Sequence, residues 1–228
     1  MKQLPDYIPE DLTYELPSPL RVLDMRLPDG ELVPREGDRI VIIPMYDDPE
    51  RACRIASVFR EAGILTLGVS ATDVPDRERY FDSVMIIEEC DSDYFTGFLE
   101  EIIESHGPVD ITVADIDWLF RNSGRCKMET APFSGYDDLL SRASDDLFPR
   151  LKAMNLTEGD KVMVAIFFDA KNKDAITAER MERFVGHFAE LPAEADIMWG
   201  LLHQEDLGPQ TITIVTFISG KNIKPYED

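Results

Sequence analysis

Two short runs in this sequence hold residue types that do chemistry when brought together. The first is Pro44-Met45-Tyr46-Asp47-Asp48-Pro49-Glu50, and the second is Asp110-Ile111-Thr112-Val113-Ala114-Asp115, followed closely by Asp117, Trp118 and Phe120. Asp47, Asp48 and Glu50 supply hard oxygen atoms of the kind that hold Mg²⁺ or Ca²⁺. The plainer reading of the same run is a helix start, with Asp48 as cap and Pro49 at the first helical position. Asp110, Asp115 and Asp117 are acid–base candidates, although no histidine or lysine stands beside them in sequence. A solvated or capping loop is the plainer account of them.

The first run lies where a strand passes into a helix, a place where many α/β proteins hold phosphate. Phosphate loops aim several backbone N–H groups at the anion from glycines that let the chain approach closely. This turn has no glycine, and its two prolines offer no N–H. A carboxylate about 5 Å from a phosphate charge repels it by roughly 3 kcal/mol at an effective dielectric near 20. Asp48, as a cap, also takes the positive end of the helix. The run therefore reads as one that excludes phosphate.

The elements that must position these residues are legible around them. Arg39–Pro44 is a continuous apolar run of strand length, suited to a strand buried on both faces. Ala52, Ile55, Phe59 and Ala62 recur at helical spacing until Gly63. Strands follow at 64–69 and 83–87, then a helix at about 93–105. Three strand–helix units in this order predict a parallel α/β layer. His106-Gly107-Pro108 breaks the chain and marks a subdomain boundary. Beyond it come a short helix ended by Gly124, a strand at 125–131, a helix from Tyr136 until Pro149, a strand at 160–168 and a helix at 177–191. Two strands, 195–204 and 210–220, close the chain and are expected to pair. The domain reading is an extended proline-rich arm (1–38), a partial α/β domain (39–108), an α+β sandwich domain (109–221) and a short tail (222–228). The arm holds six of the fifteen prolines and a turn signal at Pro28-Asp29-Gly30, which suggests a hairpin.

Composition limits the function classes. The chain has 228 residues with 45 Asp+Glu against 23 Lys+Arg, a formal charge of −22. Such a balance argues against a general nucleic-acid binder and against docking on anionic lipid, both of which require basic surface. Cys53, Cys90 and Cys126 are sparse, odd in number and without a C-x-x-C pair, as expected of reduced thiols in a cytoplasmic protein. Cys126 reads as a core thiol. His106, His187 and His203 have no metal-ligand spacing, and His203 reads as a surface residue. The acidic, proline-broken start does not read as a signal peptide.

Three segments, in order, resemble FtsZ, the prokaryotic tubulin-like cell-division GTPase. "REAGILTLGV" is similar to its helix-to-strand step, and "ITVADIDWLFRNSGRCKME" to the loop, helix and strand that open its second domain. "EADIMWGLLHQEDLGPQTITIVTFISG" resembles its closing strands. The likeness covers about residues 39–220. It implies a small parallel-sheet N-terminal layer followed by an FtsZ C-terminal-like α+β sandwich, from a truncated and degenerate member of the FtsZ/tubulin-like superfamily. The family's first glycine-rich loop has no counterpart, and its second falls on Pro44 to Glu50. The family's catalytic loop, Asn-x-Asp-Phe-x-Asp, falls on Asp110 to Asp115: the last acid is kept as Asp115, the middle one is Thr112, and the Asn is Asp110.

The resemblance with these losses implies a pseudo-GTPase with no catalytic residue, no nucleotide cofactor and no established metal. It would act by self-assembly or on an FtsZ-type filament, with Asp110, Thr112, Asp115, Trp118 and Phe120 as the interaction loop. A second reading is an enzyme or small-ligand or metal binder that reuses the scaffold. Its site would be the acidic rim at the strand carboxyl ends, Met45–Asp48, Ser70–Asp73 and Glu88–Asp91. A third is some other acidic two-layer α/β protein, in which the strands around 164 and 214 would lie in different domains.

Overall fold

The computed structural model describes residues 18–72, 77–88, 91–135, 138–171, 176–191, 195–205, 207–208, 210–221 and 223. Eight strands form one sheet: β1 (Leu20–Val22), β2 (Ile40–Pro44), β3 (Leu65–Ser70), β4 (Ser83–Ile86), β5 (Gly124–Ser134), β6 (Lys161–Phe168), β7 (Asp196–His203) and β8 (Thr211–Gly220). Their order is β1-β2-β3-β4-β5-β8-β6-β7. Strands β1 to β5 run parallel; β8 is antiparallel to β5 and β6, and β7 runs parallel to β6. The predicted parallel layer is present. Val164 pairs with Thr216 and Ile166 with Ile214 in this one sheet, which removes the observation the third reading needed.

Helices α1 (Pro49–Glu61), α2 (Ser92–Glu104), α3 (Val113–Phe120), α4 (Leu139–Ala153) and α5 (Ala178–Gly186) cover the two faces. Alternation along the strands divides the core. Ile40, Ile42, Leu65, Leu67, Met163 and Phe167 pack with α2 and α3. Val41 and Ile43 face α1, and Val162, Val164 and Ile166 face α4 and α5. A strand apolar at every position needs helices on both sides, which is what β2, β3 and β6 obtain. Among the described residues, no helix is long and apolar enough to cross a membrane.

Three details differ from the sequence reading. The last two strands do not pair, because β6 lies between them. Both β6 and β8 are buried almost throughout and take interior places, while half-buried β7 takes the edge. Helix α4 continues past Pro149 to Ala153, held by Leu147, Phe148 and Leu151 in one apolar cluster. Pro28-Asp29-Gly30 bends no hairpin: Asp29–Glu31 is a 3-10 turn, and β1 joins the sheet parallel to β2. Leu23 and Leu32 from this region are buried against α1.

Candidate functional site

At the β2–α1 turn, Asp48 accepts a hydrogen bond from the Arg51 backbone N–H at 2.9 Å, and Pro49 occupies the first turn of α1. Asp48 is thus the cap the sequence suggested. The Arg51 guanidinium reaches the Asp29 carboxylate at 2.6 Å and donates to the carbonyls of Met25 and Leu27, tying α1 to the segment after β1. Glu50 pairs with Arg77. Asp47 is exposed. The three acids thus point to different tasks, and among the described residues no group of three His, Cys, Asp or Glu side chains is arranged to hold a metal. Of the wider rim, Asp73, Glu89 and Cys90 lie outside the described residues.

An open groove of about 530 Å³ lies over the carboxyl ends of β1 and β2. Asp24, Asp47, Asp48 and Asp93 line it, with Arg26 and Arg51. Both arginines are engaged, Arg26 with Asp24 at 2.8 Å and Arg51 as above. The Arg26 side chain holds the exposed Asp24 carboxyl at about 2, below its ordinary value. The groove is therefore negative where a phosphate would need donors. Sequence reasoning found its Asp47–Asp48 wall but not the Asp24 and Arg26 side, because nothing in a proline-rich arm signals a parallel edge strand.

The second run sits between α2 and α3. Gly107 passes so close to β7 that an added Cβ would lie 1.9 Å from the Leu201 carbonyl oxygen. Asp110 accepts from the Gly107 N–H at 2.8 Å. Thr112 and Asp115 form a capping box on α3. The Asp115 carboxylate accepts from the Thr112 N–H at 2.8 Å and from its hydroxyl at 2.7 Å, while the Asp115 N–H donates back to the hydroxyl at 3.4 Å. Asp110, Thr112 and Asp115 are thus brought together in one exposed loop. Trp118 is half-buried, with the Lys161 ammonium 5.5 Å from its ring centroid and donating to its carbonyl at 2.6 Å. Burial pulls the Lys161 pKa below its ordinary value. Phe120 is fully buried against Phe217, so it supports α3 from beneath and is not part of an exposed contact.

At the other end of α3, the buried Asp82 carboxylate accepts from the Thr66 N–H at 2.9 Å, the Thr66 hydroxyl at 3.1 Å and Arg121 at 3.3 Å. Arg121 also donates to the Gly63 carbonyl. This cluster joins α1, β3, β4 and α3, and its widely spaced residues gave no signal in sequence. Among the described residues, no hydrogen bond or ion pair links Asp110–Trp118 to the β2–α1 turn.

Five parallel strands continuing through an antiparallel one into a parallel pair is a distinctive topology, and it decides the fold. This is the tubulin/FtsZ-like fold. An FtsZ mutant from M. jannaschii superposes with a TM-score of 0.59 at 14% identity, over 79% of this chain and 64% of that one. A GDP-form protofilament of Bacillus thuringiensis serovar israelensis TubZ gives 0.53 at 10% identity, over 79% and 61%. A four-stranded TubZ-Bt filament gives 0.57 at 11% identity, over 85% and 64%. The chain thus spans less than two-thirds of the length of these solved relatives. No model of a known protein family matches it, and no curated protein does.

Proposed function

We propose that this FtsZ-like protein is non-catalytic and works by protein contact. It would dock on a tubulin/FtsZ-type filament subunit, or on another copy of itself, through the exposed Asp110–Asp115 loop and Trp118, in the cytoplasm. The supporting observation is how each turn spends its polar groups. Asp48 caps the helix end a phosphate would use, and the carboxylate of Asp115, the acid kept in the catalytic-loop position, is taken by the α3 capping box. A carboxylate holding two local donors has little freedom to polarise a water on a neighbouring subunit. The filaments named among the structural relatives supply the class of partner. Calorimetry with GTP and Mg²⁺, alongside co-sedimentation with an FtsZ-type filament, tests this reading. No nucleotide heat and co-sedimentation lost on Asp110→Arg are the expected results; tight Mg²⁺-dependent GTP binding would falsify the non-nucleotide claim.

The acidic groove favours a second reading, a binder or enzyme for a small cation or a metal. Asp47 and Asp93 face it without an arginine or lysine pair among the described residues. A thermal shift with a polyamine or a divalent metal, abolished by Asp47→Asn, would support it.

A further inference from the structure

β7 is the outer strand on its side of the sheet. The Asp196 N–H donates inward to Asp160, so the even-numbered residues of β7 turn their backbone groups to β6. The odd-numbered ones turn outward. Two of these are already paired with the crossing between α2 and α3. The Leu201 N–H donates to Val109 at 2.8 Å, the Val109 N–H donates back at 3.4 Å, and the His203 N–H donates to His106 at 3.0 Å. The outward groups of Ile197 and Trp199 have no partner among the described residues. The open run, Asp196–Trp199, is largely apolar and half-buried. Ile197 and Trp199 flank the cluster under α4 and α5, and Met198 the one under α2. Natural proteins guard such edges, because they template further pairing.

The length of the run selects the occupant. A long foreign strand laid along β7 would meet the His106–Val109 crossing just past Gly200. A second copy of this chain avoids that collision, because antiparallel pairing sets the first residue of its strand, Asp196, against Gly200. Paired antiparallel about Met198, each crossing falls beyond the start of the other strand. Ile197 then lies opposite Trp199 of the second copy on one face, and Met198 opposite Met198 on the other. Asp196 lies opposite Gly200, so no acid opposes an acid within the run.

We propose that the chain forms a two-fold dimer by antiparallel pairing of β7 with β7 of a second copy, centred on Met198. Ile197 and Trp199 exchange both their N–H and C=O bonds across the axis. The open run ends where the crossing into the Asp110–Trp118 loop begins; the dimer does not rest on filament docking, and Ile197→Lys and Asp110→Arg probe the two contacts separately. The contact is small, which places the equilibrium at high chain concentration. Two copies each carrying −22 repel at low salt, so added salt tightens this dimer, whereas it would weaken an ion-paired one.

Sedimentation velocity from about 5 to about 500 µM, in about 0.05 and 0.5 M NaCl, tests the dimer. The expected result is a dimer of the 25.9 kDa chain that grows with concentration and with salt, and that Ile197→Lys weakens at least about tenfold by placing a charge on the edge. Hydrogen exchange on the unmodified chain is the second measurement and holds even if the variant fails to fold. The Ile197 and Trp199 amides should slow as concentration rises, while exposed loop amides do not. A monomer throughout overturns the proposal. So does a dimer that salt weakens, or one in which the Ile197 and Trp199 amides stay fast.

Discussion

The β2–α1 turn and the Asp110–Asp115 loop solve the same physical problem in different ways. Each opens a helix, and each must satisfy N–H groups left over at a helix start. At α1 one carboxylate, Asp48, caps the end, while Arg51 draws in the segment after β1 and leaves an acidic groove beside it. At α3, Thr112 and Asp115 satisfy each other, and Gly107 lets the loop press against β7. One turn repels a phosphate; the other folds its acid into local structure. The two turns thus differ in how they use their acids, the first through charge and the second through hydrogen bonding.

The comparison breaks most forcefully at Gly107. A methyl group there would collide with the Leu201 carbonyl, so Gly107→Ala should cost about 3 kcal/mol or more. Urea denaturation would show it, and a cost below about 1 kcal/mol would mean the loop is not pressed on β7. Asp82→Asn comes next. It leaves Arg121 short of a buried charge partner and should cost about 2–4 kcal/mol. Its effect belongs to the α3 side of the comparison, so hydrogen exchange should quicken in α3 while the first turn of α1 keeps its protection.

The two caps sharpen the contrast. Asp115→Ala removes the acceptor for two donors and should cost about 1–2 kcal/mol, against about 1 kcal/mol for Asp48→Ala. Asp48→Gly should cost only a few tenths, because glycine is tolerated at that position. Equal losses from Asp48→Ala and Asp48→Gly would mean the carboxylate acts through something other than the cap.

How much of this was legible in the sequence follows from the range of the interactions. Asp48 with Pro49 is a local signal, and the cap it predicts is present. The buried strands announced themselves by unbroken apolar runs. Thr112 and Asp115 are spaced as a capping box, and the capping-loop reading of Asp115 agrees with it without naming Thr112 as the reciprocal partner. Phe120 was placed on the contact loop, whereas the periodicity of α3 turns it inward with Ile116 and Leu119. The place of β6 between β7 and β8 depends on which strands compete for burial on both faces, a property of the whole sheet. The Asp82 cluster draws on residues from Gly63 to Arg121, and the groove draws its far wall from an arm whose prolines concealed a strand.

The smallest effect is in acid, and it concerns the groove alone. Asp24 titrates at about 2 in the folded chain because Arg26 hydrogen-bonds it, below the ordinary 3.8 of an unfolded chain. Where a folded pKa is depressed, the unfolded state binds the proton first. The stabilisation is therefore complete above about pH 4 and is lost as pH falls toward 2. Full exposure of the pair keeps the effect small. Asp24→Asn should therefore lower the unfolding midpoint slightly at pH 7 and not at pH 2, which flattens the acid limb between pH 4 and 2. At the other turn, Asp115→Asn should lower stability at pH 7 by weakening the α3 capping box. If Asp24→Asn loses as much at pH 2 as at pH 7, the side chain acts through something other than the charge that sets this turn apart from the α3 loop.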